Sequence, residues 1–289
     1  MPSQNIQWFP GHMARTRRLI TENLKNVDAV IELLDARIPH SSRNPEISRL
    51  CAGKPSVILL NKASLADPSI TKEWAKRFTD EKTVCIETDC VSGIGLNQIA
   101  PAIRKLCGEK LERYENKGMV GRSLKAMVVG IPNVGKSSLI NKLCGTKKAK
   151  VENRPGVTLD KQWVSTNIGI LLLDMPGVLW PKFDDAAVGE NLAITGAIKD
   201  DILDIESIAM ALCGRLREMY PEMLLERYKL GTIPSTDEMD NYDLLSLIGK
   251  KRGFLISGGE INTERTANML LDEFRAAKIG RITLDRSKE

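Results

Sequence analysis

The stretch Gly130-Ile-Pro-Asn-Val-Gly-Lys-Ser137 has the spacing GxxxxGK[ST] and lies between an apolar run, residues 126–129, and a helical pattern, residues 137–144. In this motif, glycines allow consecutive backbone N–H groups to curl around phosphate oxygens. The lysine reaches the terminal phosphates, and the serine hydroxyl holds Mg²⁺. A strand before the motif and a helix after it predict a nucleotide-phosphate site. Its predicted residues are Asn133, Val134, Gly135, Lys136, Ser137 and Ser138.

A second apolar run, residues 168–173, ends in Asp174-Met-Pro-Gly177. An aspartate at such a strand end holds the hydration shell of Mg²⁺, and the N–H of Gly177 can donate to the γ-phosphate. Between the two motifs lies Arg154-Pro-Gly-Val-Thr158, a loop whose threonine is a candidate Mg²⁺ ligand. The predicted Mg²⁺ ligands are therefore Ser137, Thr158 and Asp174.

Short runs of Val, Ile and Leu alternate with amphipathic helical patterns in the first part of the chain. The predicted strands are residues 27–34, 56–60, 83–86, 126–129, 162–166 and 169–173, and the predicted helices are residues 13–26, 43–52, 69–79, 96–113 and 137–144. This alternation is typical of an α/β, doubly wound, mostly parallel sheet, which binds ligands at the carboxyl ends of its strands. Residues 112–119 (ERYENKGM) are predicted to form a charged linker within the sheet domain.

The strand pattern stops near residue 182, and helical patterns follow at residues 202–210, 215–228, 242–248 and 264–277. We therefore expect a sheet domain over residues 1–182 and a small helical C-terminal domain over residues 183–289. Residues 1–199 carry an excess of nine positive charges, whereas residues 200–289 carry an excess of four negative charges. The two parts differ in electrostatic character.

The composition, 42% hydrophobic and 27% charged, is that of a globular protein and excludes collagen-like and disordered chains. No apolar run approaches the roughly 18 residues that cross a bilayer, and residues 1–18 lack the apolar stretch of a signal peptide. We expect a cytoplasmic protein without a membrane partner.

A candidate base-reading motif, Asn61-Lys62-Ala63-Ser64, follows the predicted strand at residues 56–60. In P-loop GTPases an NKxD sequence after a strand reads guanine, because its aspartate accepts hydrogen bonds from N1–H and the exocyclic amine. Asp89 and Cys90, at the end of the next strand, fall where a base-supporting motif is expected. Both motifs precede the phosphate loop, which is the order of a circularly permuted P-loop GTPase.

The chain resembles the circularly permuted GTPases of ribosome assembly over its whole length. The likeness is carried by Trp8-Phe-Pro-Gly-His-Met13, Asp35-Ala-Arg37, Asn61-Lys62, the PNVGKSS of the phosphate loop, Pro155-Gly-Val-Thr158, Asp174-Met-Pro-Gly177 and the helical C-terminal domain. The resemblance implies that the protein hydrolyses GTP to GDP with Mg²⁺ and assists a late step of large (50S) ribosomal subunit assembly. It also implies that the helical domain helps to dock on ribosomal RNA, and we expect a monomer.

The resemblance implies two further site residues. Many GTPases orient the attacking water with a glutamine after the DxxG glycine, but Val178 stands there in this chain. The family offers His12, after a turn expected at Pro10-Gly11, as the catalytic group; a surface or RNA-contacting histidine is an equal alternative. In potassium-stimulated relatives the asparagine at the position of Asn133 ligates K⁺, which supplies positive charge beside the transferred phosphoryl group.

One residue departs from the family pattern, because the base-reading motif ends in Ser64 instead of aspartate. A hydroxyl makes one neutral hydrogen bond where a carboxylate makes two charge-assisted ones, so an aspartate at position 64 is expected to bind guanine more tightly. Two alternatives stay open at this point. Because Ser64 replaces the aspartate, the protein could be an ATPase of the same fold. Because Val178 replaces the glutamine, it could be a nucleotide-gated RNA-binding switch with little turnover.

Overall fold

The computed structural model describes residues 10–119, 121–145, 163–180, 183, 185–233 and 235–286, except for the side chains of residues 10–12. Its strands are β1 (Ala29–Asp35), β2 (Ser56–Asn61), β3 (Thr83–Glu87), β4 (Leu124–Gly130), β5 (Trp163–Ser165) and β6 (Ile170–Asp174). They form one sheet in the order β3-β2-β1-β4-β6-β5, in which only the β5–β6 pair is antiparallel. The predicted mostly parallel sheet is confirmed, with each predicted strand shifted by at most a few residues.

Eleven helices are present among the described residues. They are α1 (Pro10–Leu24), α2 (Pro45–Cys51), α3 (Pro68–Phe78), α4 (Ile99–Leu106), α5 (Gly108–Asn116), α6 (Lys136–Cys144), α7 (Ala186–Ile194), α8 (Ile205–Met219), α9 (Pro221–Tyr228), α10 (Asn241–Lys251) and α11 (Thr263–Arg275). Short 3₁₀ helices lie at Ala63–Leu65, Leu96–Gln98 and Asp200–Ile202.

Four local predictions were wrong, for backbone reasons. The expected turn at Pro10-Gly11 is the first turn of α1, where proline needs no N–H partner. The expected linker at residues 112–119 is helical as far as Asn116, and the helix predicted over residues 96–113 is interrupted at Cys107. The helix predicted over residues 215–228 is broken at Tyr220 (φ −143°), because the residue before a proline is disfavoured in the α region.

Strand register brings the carboxyl ends of β1, β2, β4 and β6 to one edge of the sheet. Asp35 at the end of β1 lies opposite Asn61 at the end of β2, and Leu33 lies opposite Gly130 of β4. Val128 of β4 lies opposite Asp174, the last residue of β6. All seven residues of β1 are buried, as expected for a central parallel strand covered on both faces. The base-reading and phosphate motifs therefore share one edge although their order in the chain is permuted.

The helical part of the chain packs against the sheet and returns to it. One buried apolar cluster includes Ile31 of β1, Leu212 of α8 and Phe274 of α11. After α11, the N–H of Ile282 donates to the carbonyl oxygen of Leu65 (3.2 Å). We call residues 279–286 the return segment. The predicted boundary at 182/183 falls between Lys182, which lies outside the described ranges, and Phe183, and the return segment lies against the sheet domain.

Asp35 and Arg37 form a buried ion pair at the junction of the two parts. The Arg37 guanidinium donates to both carboxylate oxygens of Asp35, at 2.9 and 2.7 Å, and Lys62 Nζ donates to the same carboxylate at 2.9 Å. Arg37 also donates to the carbonyl oxygen of Thr195 (3.2 Å) and lies 5.7 Å from the centre of the Phe274 ring. Burial opposes ionisation of Asp35, but the two cations outweigh it and hold the pKa of that carboxyl well below its usual range.

Replacing Arg37 by methionine is expected to lower the free energy of unfolding by on the order of 3 kcal/mol, because a buried carboxylate loses its principal cation. Urea denaturation at pH 7 measures this change. Arg18→Met is the matched control on the exposed face of α1, with an expected change below about 0.5 kcal/mol.

The same pair of variants gives a pH dependence. Because the pKa of Asp35 is lower in the folded state than in the unfolded chain, its stabilising contribution is present above about pH 4 and is lost as the pH falls. The difference between wild type and Arg37→Met should therefore shrink below about pH 4. A difference that stays constant from pH 7 to pH 3 would contradict this account.

Candidate nucleotide site

The phosphate loop joins β4 to α6 through residues with positive φ. Gly130 (φ 152°), Asn133 (φ 56°) and Gly135 (φ 108°) turn the backbone between strand and helix. A Cβ atom at Gly130 would lie 2.7 Å from the carbonyl oxygen of Leu33, and one at Gly135 would run into the side-chain amide of Asn61. Glycine is required at both ends of the loop because the β1 backbone approaches Gly130 closely and the Asn61 side chain approaches Gly135 closely.

Lys136 is the first residue of α6, and its side chain folds over the phosphate loop that precedes it. Its Nζ donates to the carbonyl oxygens of Gly130 (3.1 Å) and Ile131 (2.9 Å). Burial lowers the pKa of Lys136 to about 8, against the opposing charge of Asp174. Burial makes the charged form of Lys136 unfavourable in the free protein, and the negative charge of a bound phosphate would stabilise it.

The DxxG motif lies against the phosphate loop. A Cβ atom at Gly177 would run into Lys136 Nζ and would lie 3.1 Å from the carbonyl oxygen of Ile131. Asp174 ends β6, and its Oδ1 is buried without a hydrogen-bond partner. Burial raises the pKa of Asp174, although the Lys136 ammonium opposes that shift.

These residues fit a hard divalent cation. An orphaned carboxylate oxygen at the end of β6 is the kind of ligand that Mg²⁺ and its hydration shell prefer. Ser137, the second residue of α6, and the adjacent Ser138 are exposed at the helix N-terminus. Thr158, the third predicted Mg²⁺ ligand, lies outside the described residues. Ser137 and Asp174 are the described candidates.

Asn61 connects the base-reading motif to the phosphate loop. Its Nδ2 donates to the carbonyl oxygen of Val134 (2.7 Å), and its Oδ1 accepts from the N–H of Cys90 (2.9 Å). The side chain is 2% exposed. One buried amide therefore holds three predicted site loops in register.

The other predicted base-reading residues occupy the same corner. Lys62 has φ 61°, and its ammonium is engaged by Asp35. The N–H of Ala63 donates to the carbonyl oxygen of Thr88 (3.0 Å). Ser64 Oγ donates to the carboxylate of Asp89. Asn61, Lys62, Ala63, Ser64, Asp89 and Cys90 thus form one connected group beside the phosphate loop.

His12 and Asn133 are the two residues that the resemblance implies for catalysis. His12 is in the first turn of α1, and its side chain is outside the described part of the structure. The amide nitrogen of Asn133 donates to the carbonyl oxygen of Gly196, just after α7, at 2.9 Å. Val178 is 2% exposed, so its side chain faces the core instead of a ligand. The position that carries a glutamine in many GTPases is thus not part of the site surface.

Sequence reasoning missed two contacts around the site. Asp35 and Arg37 were noted only as part of a motif, and nothing in the sequence pairs them with Lys62. Arg281 donates to the carbonyl oxygens of Ala63 (2.7 Å) and Ala66 (2.9 Å). Its partners are backbone carbonyls, which leave no signal in a sequence.

Comparison with known proteins gives the family. Residues 125–213 match the family model described as 50S ribosome-binding GTPase. The chain is 47% identical over 281 residues to ribosome biogenesis GTPase A of Bacillus pumilus, with 97% of this chain and 98% of the relative covered. The chain belongs to the ribosome biogenesis GTPase A family.

Solved structures agree with this membership of the ribosome biogenesis GTPase A family. The GDP-bound structure of TM YlqF matches with a TM-score of 0.64 and 25% identity, covering 94% of this chain and 100% of that chain. GNP-bound YlqF from T. maritima matches with a TM-score of 0.60 and 26% identity, covering 94% and 98%. The predicted circularly permuted GTPase fold and the prediction of a GTP hydrolase in ribosome biogenesis are confirmed. Within the described ranges, no helix is long and apolar enough to cross a membrane.

Lys136→Ala is expected to weaken GDP binding on the order of 100-fold, because charge-assisted bonds to the phosphates are lost. Ser137→Ala should reduce the Mg²⁺ dependence of binding and turnover. Calorimetric titration with GDP, with and without Mg²⁺, measures both effects. Lys142→Ala, an exposed lysine on the same helix, is the control and should bind like wild type. Unchanged affinity and turnover in both site variants would contradict the phosphate-site assignment.

GDP binding is also expected to take up protons near pH 8. The pKa of Lys136 is about 8 in the free protein, and phosphate oxygens raise it, so part of the population gains a proton on binding. GDP affinity should therefore fall as the pH rises above 8. Calorimetry in buffers of different ionisation enthalpy measures the uptake, and Lys136→Ala should abolish it.

Proposed function

We propose that this protein binds GTP, hydrolyses it to GDP and phosphate, and uses that cycle to assist a late step in assembly of the large (50S) ribosomal subunit. The observation that carries the proposal is the convergence of Lys136, Asp174 and Gly177 at one edge of the sheet. Membership of the ribosome biogenesis GTPase A family supports the cellular role. That role favours the cytoplasm as the place of action, and we propose that the protein acts there as a monomer.

Binding of the phosphates is assigned to the loop and its lysine. The backbone N–H groups of residues 133–138 donate hydrogen bonds to the phosphate oxygens. Lys136 exchanges its bonds to the Gly130 and Ile131 carbonyl oxygens for bonds to the terminal phosphates. Ser137, Thr158 and Asp174 hold Mg²⁺, which neutralises charge on the β and γ phosphates when bound. Gly177 lies beside Lys136, and we assign its N–H to the γ-phosphate.

Water positioning is assigned to His12. Val178 has no polar side-chain atom and is buried in the same apolar cluster as Met175 and Met13 of α1. Asn44 adds a polar contact, since its Nδ2 donates to the carbonyl oxygen of Val178 (3.4 Å). The start of α1 is thereby held beside the DxxG motif. His12 directly precedes Met13, which supports its access to the γ-phosphate side of the site.

Asn133 is assigned to a K⁺ site. Its amide nitrogen is used by the Gly196 carbonyl, so the side-chain oxygen is the atom that would hold a cation. K⁺ ligated there supplies positive charge beside the transferred phosphoryl group. Because Gly196 follows α7, the same asparagine would respond to movement of the helical part.

The proposed ribosomal RNA surface is the exposed basic face of α1. Arg15, Arg17 and Arg18 of α1 and Lys25 directly after it are exposed, and cationic side chains of this kind neutralise backbone phosphates. Arg17 is paired with Glu46 and Arg18 with Glu22, both at the protein surface. Two of the C-terminal basic residues are engaged within the protein. Arg252 pairs with Glu273, and Arg275 pairs with Asp200, while Lys250, Lys251 and Lys278 remain exposed.

The function is tested by measuring phosphate release from GTP and from ATP, each with and without purified large ribosomal subunits. We expect turnover of GTP that rises when subunits are added, and little turnover of ATP. Equal use of ATP would favour the ATPase alternative. Nucleotide-dependent subunit binding without turnover would favour the switch alternative. The buried, apolar side chain of Val178, which cannot position water, is consistent with that alternative.

His12→Ala is expected to lower subunit-stimulated GTP hydrolysis by about 10²–10⁴-fold, the usual contribution of a group that positions or deprotonates water. GDP affinity should stay within about twofold of wild type, because the imidazole would contact water instead of nucleotide. His40→Ala is the control, since His40 is the other histidine of the chain and is exposed beside Trp74. Hydrolysis at the wild-type rate with saturating subunits would remove His12 from the mechanism.

A further inference from the structure

A hydrogen-bonded pair lies where the base-reading motif lacks its carboxylate. Ser64 Oγ donates to Oδ2 of Asp89, which comes 25 residues later in the chain, after β3. Ser64 is exposed, whereas Asp89 is only 6% exposed. The hydroxyl is therefore the group that an arriving base meets, and the carboxylate lies behind it.

The backbone fixes the position of this pair. Oδ1 of Asp89 accepts from the N–H groups of Val91 (2.9 Å) and Ser92 (3.0 Å). The bond from the Ala63 N–H to the Thr88 carbonyl oxygen (3.0 Å) ties the two loops together directly before each member of the pair. The distance between hydroxyl and carboxylate is thus set by two neighbouring strand ends.

The direction of the hydrogen bond follows from the charge of Asp89. Burial opposes ionisation of this carboxyl, but the Ser64 hydroxyl and the backbone N–H groups outweigh it and lower its pKa. An ionised carboxylate only accepts hydrogen bonds, so it takes the single hydroxyl proton of Ser64. The lone pairs of Ser64 Oγ are what remain for a ligand.

We propose that Ser64 and Asp89 together replace the aspartate of the base-reading motif, with Ser64 Oγ accepting a hydrogen bond from guanine and Asp89 acting as the positioning residue. This inference deepens the proposed function and rests on it. Guanine presents N1–H and an amino group as donors on this edge, whereas adenine presents N1 as an acceptor. An oxygen that can only accept matches guanine and repels adenine, so the pair determines base specificity.

Asp89→Asn tests the inference with little change of shape. The amide oxygen can still accept from Val91 and Ser92, but the amide nitrogen donates to Ser64 Oγ and turns the hydroxyl proton outward. The preference for GDP over ADP, measured by calorimetry, should fall about tenfold, the equivalent of one hydrogen bond. ADP affinity should stay the same or rise. Asp80→Asn, at an exposed position before β3, is the matched control and should leave both affinities unchanged.

Two variants at position 64 complete the test. Ser64→Asp alone places a second carboxylate against Asp89, so it should weaken GDP binding; this reverses the expectation drawn from the motif alone. The exchange Ser64→Asp with Asp89→Ser restores one carboxylate and one hydroxyl, and it should return the GDP preference to within a few-fold of wild type. A residue that only stabilised the loop would not be rescued by this exchange.

The outcomes separate this inference from the proposed function. Wild-type protein that binds ADP as tightly as GDP would contradict guanine-specific function itself. If wild type prefers GDP and Asp89→Asn keeps that preference, only the role of the pair is wrong. Equal losses of GDP and ADP affinity in Asp89→Asn, or a Ser64→Asp variant that binds GDP more tightly, would overturn the inference as well.

Discussion

The buried amide of Asn61 is the interaction on which the nucleotide site depends. It donates to the phosphate loop at Val134 and accepts from Cys90, although Val134 lies 73 residues further along the chain. In the sheet, β1 lies between the strands that carry Asn61 and the phosphate loop, so this contact spans a strand. A buried amide has both a donor and an acceptor to satisfy, and this arrangement of three loops satisfies both. Strand register and hydrogen bonding, not the order of the motifs along the chain, position the loops. A permuted chain can therefore build the same nucleotide site as a GTPase with the usual motif order.

A second constraint is the charge of Asp35 below that site. A buried carboxylate needs cationic partners, and Asp35 has two. Arg37 also contacts the helical part of the chain, and Lys62 belongs to the base-reading motif. Lys62, directly after β2, has a left-handed backbone (φ 61°), and its ammonium donates to this carboxylate. The geometry of the base-reading loop and the docking of the helical part thus share one buried charge.

Sequence reasoning predicted the parts of the site that local spacing determines. The phosphate loop, the strand that ends at Asp174 and the permuted order all follow from short motifs beside apolar runs. The role of Asp89 did not follow, because the missing carboxylate at Ser64 is replaced from another strand, and the pairing depends on β2–β3 register. The contacts of Arg281 did not follow either, since backbone carbonyl partners have no sequence signature. The turn expected at Pro10-Gly11 was wrong because proline suits a helix start as well as a turn.

The return segment has a consequence for how the protein is made. Arg281 supports the carbonyl oxygens of Ala63 and Ala66 across 218 and 215 residues of chain, and Thr283 and Leu284 bond to the backbone at Ala36 and Arg37. During synthesis, Ala66 and Ala63 of the base-reading loop precede Arg281, which braces them, by 215 and 218 residues. Contacts so distant in sequence form late in folding. A nascent chain therefore presents an unbraced base-reading loop until the return segment has been synthesised.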